Sequence, residues 1–254
     1  MNGRDYESEA KNRIGFIRDI VKSSGAGGVV FANSGGKDCA LAGILCKKAC
    51  ADTVGLILPC GTKANFGSDK DDAEEISALF DIEARYIDIT GVKNEFIKAI
   101  GGNAHLNKTA LGNIAPRLRM NALYAVSAGE NRLVAGTGNR SEIYMGYFTK
   151  WGDGAYDFNP IADLTVSEVY GFLRYFGVPE HIINKPPSAG LFDGQTDESE
   201  MGVAYSSVDA FLINGETDER DMEIIEKYHR TSGHKRRMPA VYGLPGDTPW
   251  RRDG

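Results

Sequence analysis

A β-branched and aromatic run, Gly28-Val29-Val30-Phe31-Ala32, passes through Asn33-Ser34-Gly35-Gly36-Lys37-Asp38 straight into an apolar stretch from Cys39 to Ala49. The first segment reads as a buried strand and the last as a helix with apolar residues on most faces. The residues between them are therefore a strand-to-helix turn. Such a turn points the unpaired amide N–H groups of the helix N-terminus into one small volume, where the helix dipole favours an anion and glycine lets it approach the backbone. A phosphate group fits that description. The P-loop pattern does not apply, because Asp38 follows Lys37 and no glycine stands at the required distance before it. A dinucleotide fingerprint does not apply either, since Gly25-Ala26-Gly27-Gly28 precedes the strand; those glycines read as a flexible lead-in.

Strand and helix patterns alternate along the rest of the chain. Thr53 to Leu58 reads as a strand, and Ser68 with Asp71 reads as a capping-box start for an amphipathic helix. Arg85 to Ile89 follows as a strand, Val92 to Ile100 and Asn113 to Ser127 as helices, and Arg132 to Ala135 as another strand. Thr165 and Glu168 form a second capping box. This βαβ series predicts an α/β fold, a parallel twisted sheet with helices on both faces. Ligands of such sheets sit beyond the carboxyl ends of the strands, where both "NSGGKD" and "GTGNRSE" fall.

With 254 residues, 42% hydrophobic and 25% charged, the chain has enough material for one substantial core, and residues 1–254 are expected to form a single domain. The polar start and the lack of an apolar run near the ~20 residues of a membrane span predict a cytoplasmic protein with no membrane partner. A net charge of −6 argues against a partner held mainly through phosphates, so no nucleic acid is expected. Cys39, Cys46, Cys50 and Cys60 lie close together, yet no Cys-x-x-Cys and no neighbouring histidine occur, and they read as buried thiols.

Ser34-Gly35-Gly36-Lys37-Asp38-Cys39 resembles the Ser-Gly-Gly-x-Asp-Ser loop of the ATP pyrophosphatase (PP-loop) superfamily. Four further blocks extend the likeness: "GNIAPRLRM" from Gly112, "GTGNRSEIYMGYFTKWGDGAYDFNP" from Gly136, "KPPSAGLFDGQTDE" from Lys185 and "GHKRRMP" from Gly233. In that order they resemble ammonia-dependent NAD synthetase. The resemblance implies an adenine nucleotide alpha hydrolase-like, Rossmann-like fold and ATP-dependent amidation of deamido-NAD through an adenylate, giving NAD, AMP and pyrophosphate. It implies ATP as cosubstrate, Mg2+ as cofactor, ammonia as nitrogen donor with no glutaminase domain, and a homodimer with the dinucleotide near the subunit interface. Other readings of the residues stay open: a different carboxylate substrate, tRNA thiolation, or a nucleotide-binding homologue impaired in catalysis.

Position by position, the resemblance implies that Ala32, Asn33, Ser34, Gly35, Gly36, Lys37, Asp38, Cys39, Thr137 and Ser188 contact ATP, and that Asp38 and Glu142 are the catalytic acids that hold magnesium. Arg117, Lys150, Asp157, His234 and Lys235 would bind deamido-NAD, with Tyr147 and Phe148 beside its nicotinate ring. The chain departs from the family at Cys39, where a serine is usual, at Pro116, and at Val166, where a lysine commonly contacts ATP. Lys37 or Lys185 are the candidates to compensate. The stretch from Pro186 to Gly202, rich in glycine, proline and acids, is expected to be a mobile loop that closes over the site.

Overall fold

The computed structural model describes residues 4–61, 63–185, 196–240 and Tyr242. The chain runs α1 (Tyr6–Ser24), β1 (Gly28–Ala32), α2 (Lys37–Ala49), β2 (Thr53–Ile57), α3 (Lys63–Phe66), α4 (Ser68–Leu79), β3 (Glu83–Tyr86) and α5 (Thr90–Gly101). It continues through α6 (Lys108–Gly112), α7 (Ile114–Glu130), β4 (Arg132–Ala135), α8 (Arg140–Met145), α9 (Val166–Phe176) and α10 (Glu180–Ile183). Last come α11 (Asp197–Met201), α12 (Tyr205–Asn214), α13 (Glu219–Thr231) and a 3₁₀ turn, Gly233–Lys235.

The four strands form one parallel sheet in the order β3-β2-β1-β4. Successive strands move outward from β1 to β3, and the chain then crosses back to place β4 on the other side of β1, with Val30 level with Val134. That reversal opens a crevice between the carboxyl ends of β1 and β4, the place where open α/β sheets bind ligands. Alternate β1 side chains feed two cores. Val29 and Phe31 pack with Leu41, Ile44, Phe172 and Leu173 on one face, while Val30 packs with Val54, Leu56 and Leu123 on the other. Both faces being covered explains why β1 and β2 read as unbroken apolar runs.

The expected strands and long helices are present, with ends shifted by a few residues. Two local readings are corrected. Gly25 to Gly28 are no loose lead-in: Gly25 caps α1 at φ 72°, and a Cβ on Gly28 would stand 2.5 Å from the Asp52 carbonyl. Ser68 is the first residue inside α4 rather than its cap, because α3 delivers the chain through Gly67, and the helix start has no side-chain cap. The Thr165–Glu168 capping box forms as expected. Of the loop expected over Pro186 to Gly202, residues 186–195, Ser188 among them, lie outside the described residues, and Asp197–Met201 is helical.

Candidate active site

The turn after β1 is the floor of the crevice. Gly35 adopts φ +75°, and a Cβ there would lie 2.2 Å from the Asp69 carbonyl, so only glycine fits this position. Asn33 is buried and donates its amide to Ala73 O and Ser77 Oγ, which fixes the turn against α4. Its Oδ1 accepts from Gly35 N, and Ser34 Oγ accepts from Gly36 N. Immediately beyond, the first-turn N–H groups of α2 at Lys37, Asp38 and Cys39 have no acceptor within the helix and open towards the crevice.

Lys37 is only 6% exposed. Burial would lower its pKa, but Asp38 and Glu142 reverse the effect and hold the ammonium charged, with Nζ 2.8 Å from Asp38 Oδ2. Asn139, fully buried at the end of the β4 loop, joins the two acids. It donates Nδ2 to Asp38 Oδ1 at 3.1 Å, caps α8 by accepting from Glu142 N, and donates its own N–H to Glu142 Oε2. Burial and the Asp38 charge push the Glu142 carboxyl well above the usual carboxylate range, against the pull of Lys37. Two acids crowded with one lysine leave negative charge uncompensated. Glu142 Oε1 has no hydrogen-bond partner among the described residues. An all-oxygen donor set of this kind fits a hard divalent cation such as Mg2+.

Cys39 is buried, and burial raises its thiol pKa while contacts with Ser34 and Thr137 partly oppose the rise. Its sulfur accepts from Ser34 Oγ at 3.1 Å, as a small side chain filling the turn. All four cysteines are free thiols. Val166 is packed beside Met145, Val203 and Val208, and Lys185 is tied to Asp69 and Asp72 on the opposite wall.

The crevice opens into a cavity of about 1110 Å³. Its walls include Ala32, Asn33, Ser34 and Lys37 at one end and His234 and Lys235 at the other, with Thr137, Tyr147 and Phe148 between. The 3₁₀ turn docks onto the segment after α8: Lys235 Nζ donates to the Gly146 and Phe148 carbonyls, both at 2.7 Å, and Lys150 Nζ to the His234 carbonyl at 2.8 Å. Arg117 is exposed outside this cavity, donating to the Lys150 carbonyl, and Asp157 accepts from Tyr124 OH and Val134 N, also away from it. The structure thus gathers the turn after β1, Thr137, the acid pair, His234 and Lys235 around one cavity, and leaves Arg117, Lys150 and Asp157 outside its lining; Ser188 lies outside the described residues.

Three further residues at or behind the cavity wall escaped the sequence reading. Asn139 carried a signal, since Asn139-x-x-Glu142 is a capping-box spacing. Asp197, buried, accepts from Tyr205 OH and adds to the negative field at Glu142; no local pattern marks it. Arg119 stands two residues from Arg117 on the cavity side of α7.

A parallel sheet whose switch point carries a glycine anion turn, a buried lysine and a facing carboxylate pair has the architecture of a nucleotide-binding α/β enzyme. Comparison with known proteins gives the family. The NAD synthase family profile matches residues 9–239, and the chain belongs to that family. It is 40% identical to the NH(3)-dependent NAD(+) synthetase of Carboxydothermus hydrogenoformans over 240 residues, covering 93% of this chain and 98% of that one. It is 41% identical to the Archaeoglobus fulgidus NH(3)-dependent NAD(+) synthetase, covering 93% and 97%. Among solved structures, the NMN synthetase of Francisella tularensis superposes with TM-score 0.89 at 36% identity, over 95% of this chain and 100% of that one. The NH3-dependent NAD synthetase of Campylobacter jejuni superposes with TM-score 0.76 at 33% identity, over 94% and 99%. The activity class is a ligase that uses ATP and ammonia. No helix among the described residues is long and apolar enough to cross a membrane.

Proposed function

We propose that the protein amidates deamido-NAD with ammonia at the expense of ATP, releasing NAD, AMP and pyrophosphate. The observation that carries this reading is the single cavity, about 1110 Å³, that joins the phosphate turn and acid pair to the basic C-terminal segment. Its volume exceeds the ~300–1,000 Å³ of an ordinary ligand pocket and suits two nucleotides meeting at their reactive ends.

A carboxylate resists ammonia until one of its oxygens becomes part of a leaving group. In this reading a nicotinate oxygen attacks the α-phosphorus of ATP, the bond from that phosphorus to the bridging oxygen breaks, and pyrophosphate leaves. Ammonia then attacks the acyl carbon, loses a proton and expels AMP. Charge that builds on the phosphates meets Lys37 and the N–H groups of the first turn of α2, already fixed before the substrate arrives. Asp38 and Glu142 would hold Mg2+, which supplies Lewis-acid stabilisation of phosphate oxygens. Asn139 keeps both acids in place. Thr137 and Ser188 are assigned to ATP, and Arg117, Lys150, Asp157, His234 and Lys235 to the dinucleotide. The positions of Arg117, Lys150 and Asp157 outside the cavity lining accord with a homodimer in which the dinucleotide lies near the subunit interface.

One observation favours a second substrate. The TM-score to the NMN synthetase is 0.89 against 0.76 for the Campylobacter NAD synthetase, which supports nicotinate mononucleotide as the carboxylate acceptor. Both compounds present the same reacting carboxylate. Purified protein given ATP, magnesium and ammonium with equimolar deamido-NAD and nicotinate mononucleotide separates the readings, and a higher kcat/KM for deamido-NAD is expected. A tenfold preference for the mononucleotide selects the second reading, and absence of AMP formation with either removes both.

A further inference from the structure

One cation of the cavity has no part in the scheme above. Arg119 projects from α7 towards the end of β2, where its Nε donates to the Leu58 carbonyl at 3.0 Å and its Nη2 to Asn65 Oδ1 at 3.0 Å. A guanidinium carries five N–H donors in a rigid fork, so these bonds hold its plane and leave the remaining donors for the cavity it lines. Among the described residues no carboxylate stands within ion-pair distance of it. Desolvation, the largest influence on it, lowers its pKa, and Cys60, Asp153 and Asp69, in that order, recover only part of that. The cavity wall therefore carries a fixed charge that the protein does not neutralise.

Its bracing leads to the phosphate turn. Asn65, which accepts from Arg119, donates Nδ2 to Asp69 Oδ2 at 3.0 Å, and the Asp69 backbone is the surface packed against Gly35. Arg119 and the anion turn are thus mounted on the same short stretch of chain, from the end of β2 to the first turn of α4. Arg117 illustrates the contrast: two residues is about 200° of helix, which puts it on the outer face of α7.

We propose that Arg119 is an anion-binding residue of this active site, holding a phosphate or carboxylate oxygen of one of the two nucleotide substrates. The identity of the second nucleotide rests on the amidation reading; the ATP arm of the test does not.

The test is titration calorimetry and steady-state kinetics on Arg119→Gln and the parent, with thermal unfolding in parallel. Loss of a charge-assisted contact is expected to weaken one ligand about 10- to 100-fold. Weaker ATP binding with unchanged nicotinate nucleotide assigns Arg119 to the triphosphate. Weaker nicotinate nucleotide with unchanged binding of its amide product assigns it to the carboxylate, and equal weakening of both assigns it to that ligand's phosphate. Affinities for ATP and for the nicotinate nucleotide both within twofold of the parent overturn the proposal. If the parent turns over neither nicotinate nucleotide, the amidation reading fails separately, and unchanged ATP affinity in Arg119→Gln then overturns the proposal. Should Arg119→Gln not fold, Arg119→Lys is read instead, since lysine keeps a point charge but loses the planar fork. A loss of threefold or more for one ligand supports the proposal, and parental affinity for both overturns it.

Discussion

Replacing Asn139 with alanine tests whether the acid pair is built or merely adjacent. Asn139 is fully buried, and two separate contacts end with its side chain. Oδ1 accepts from Glu142 N at 3.0 Å as the N-cap of α8, a contact worth about 1 kcal/mol. Nδ2 donates at 3.1 Å to Oδ1 of Asp38, which is paired with the Lys37 ammonium, and a hydrogen bond to a charged group contributes about 1.5–3 kcal/mol. The sum, roughly 2–4 kcal/mol, corresponds in a domain of this size to a fall in Tm of roughly 5–15 °C. Activity is expected to fall further than stability explains, because Asp38 and Glu142 lose the group that sets their spacing. Asn139→Ser separates the effects: a serine hydroxyl still caps α8 but cannot reach Asp38. It should recover about 1 kcal/mol while turnover stays at least tenfold below the parent at saturating magnesium. Differential scanning calorimetry with an AMP-release assay measures both. If Asn139→Ala unfolds within 0.5 kcal/mol of the parent and keeps full turnover, the bridge does not organise the site.

Asp38→Asn and Glu142→Gln are each expected to fold and to lose at least roughly a hundredfold in turnover, the scale of one lost electrostatic contact at developing charge; near-normal activity in both would take them out of the site. Glu142 is more basic in the folded state than in the unfolded chain, so its penalty is absent below the ordinary carboxylate range, grows as pH rises from there towards the folded pKa, and is constant above it. In EDTA, Glu142→Gln should therefore gain stability relative to the parent as pH rises above about 5, and thermal melts showing parallel curves would refute this. Cys39→Ser should keep or raise activity, since the buried thiol only fills the turn and accepts from Ser34; abolished turnover would point to sulfur chemistry instead. Gly35→Ala places a side chain at φ +75° against the Asp69 carbonyl and should cost more than about 2 kcal/mol and weaken ATP binding, as calorimetry would register.

How far the sequence reached depends on the range of the forces involved. The strand, turn and helix around Ser34 to Cys39, the alternation that makes the sheet parallel, and the capping box at Thr165 are set by residues within a turn or two of one another, so they were legible directly. Element ends were less so, because propensity is weak there and packing decides: Thr90 and Gly101 extend α5, and Ser68 lost its capping role once α3 delivered the chain through Gly67. The pairing of Asp38 with Glu142 came from resemblance, and a local sequence rule could not supply it, since the residues meet only because β4 returns beside β1. The bridge between them spans 101 positions of chain, from Asn139 to Asp38. The same holds for Arg119 and Arg117, chemically equal in sequence, which helical geometry sends to opposite faces of α7. Asp197 follows the same logic, an acid in an acidic stretch until tertiary packing buries it against Tyr205 beside the acid pair. Local order determined which groups the chain offers; the crossing of β4, which no nearby residue encodes, determined which of them share one low-dielectric cavity and so acquire chemistry.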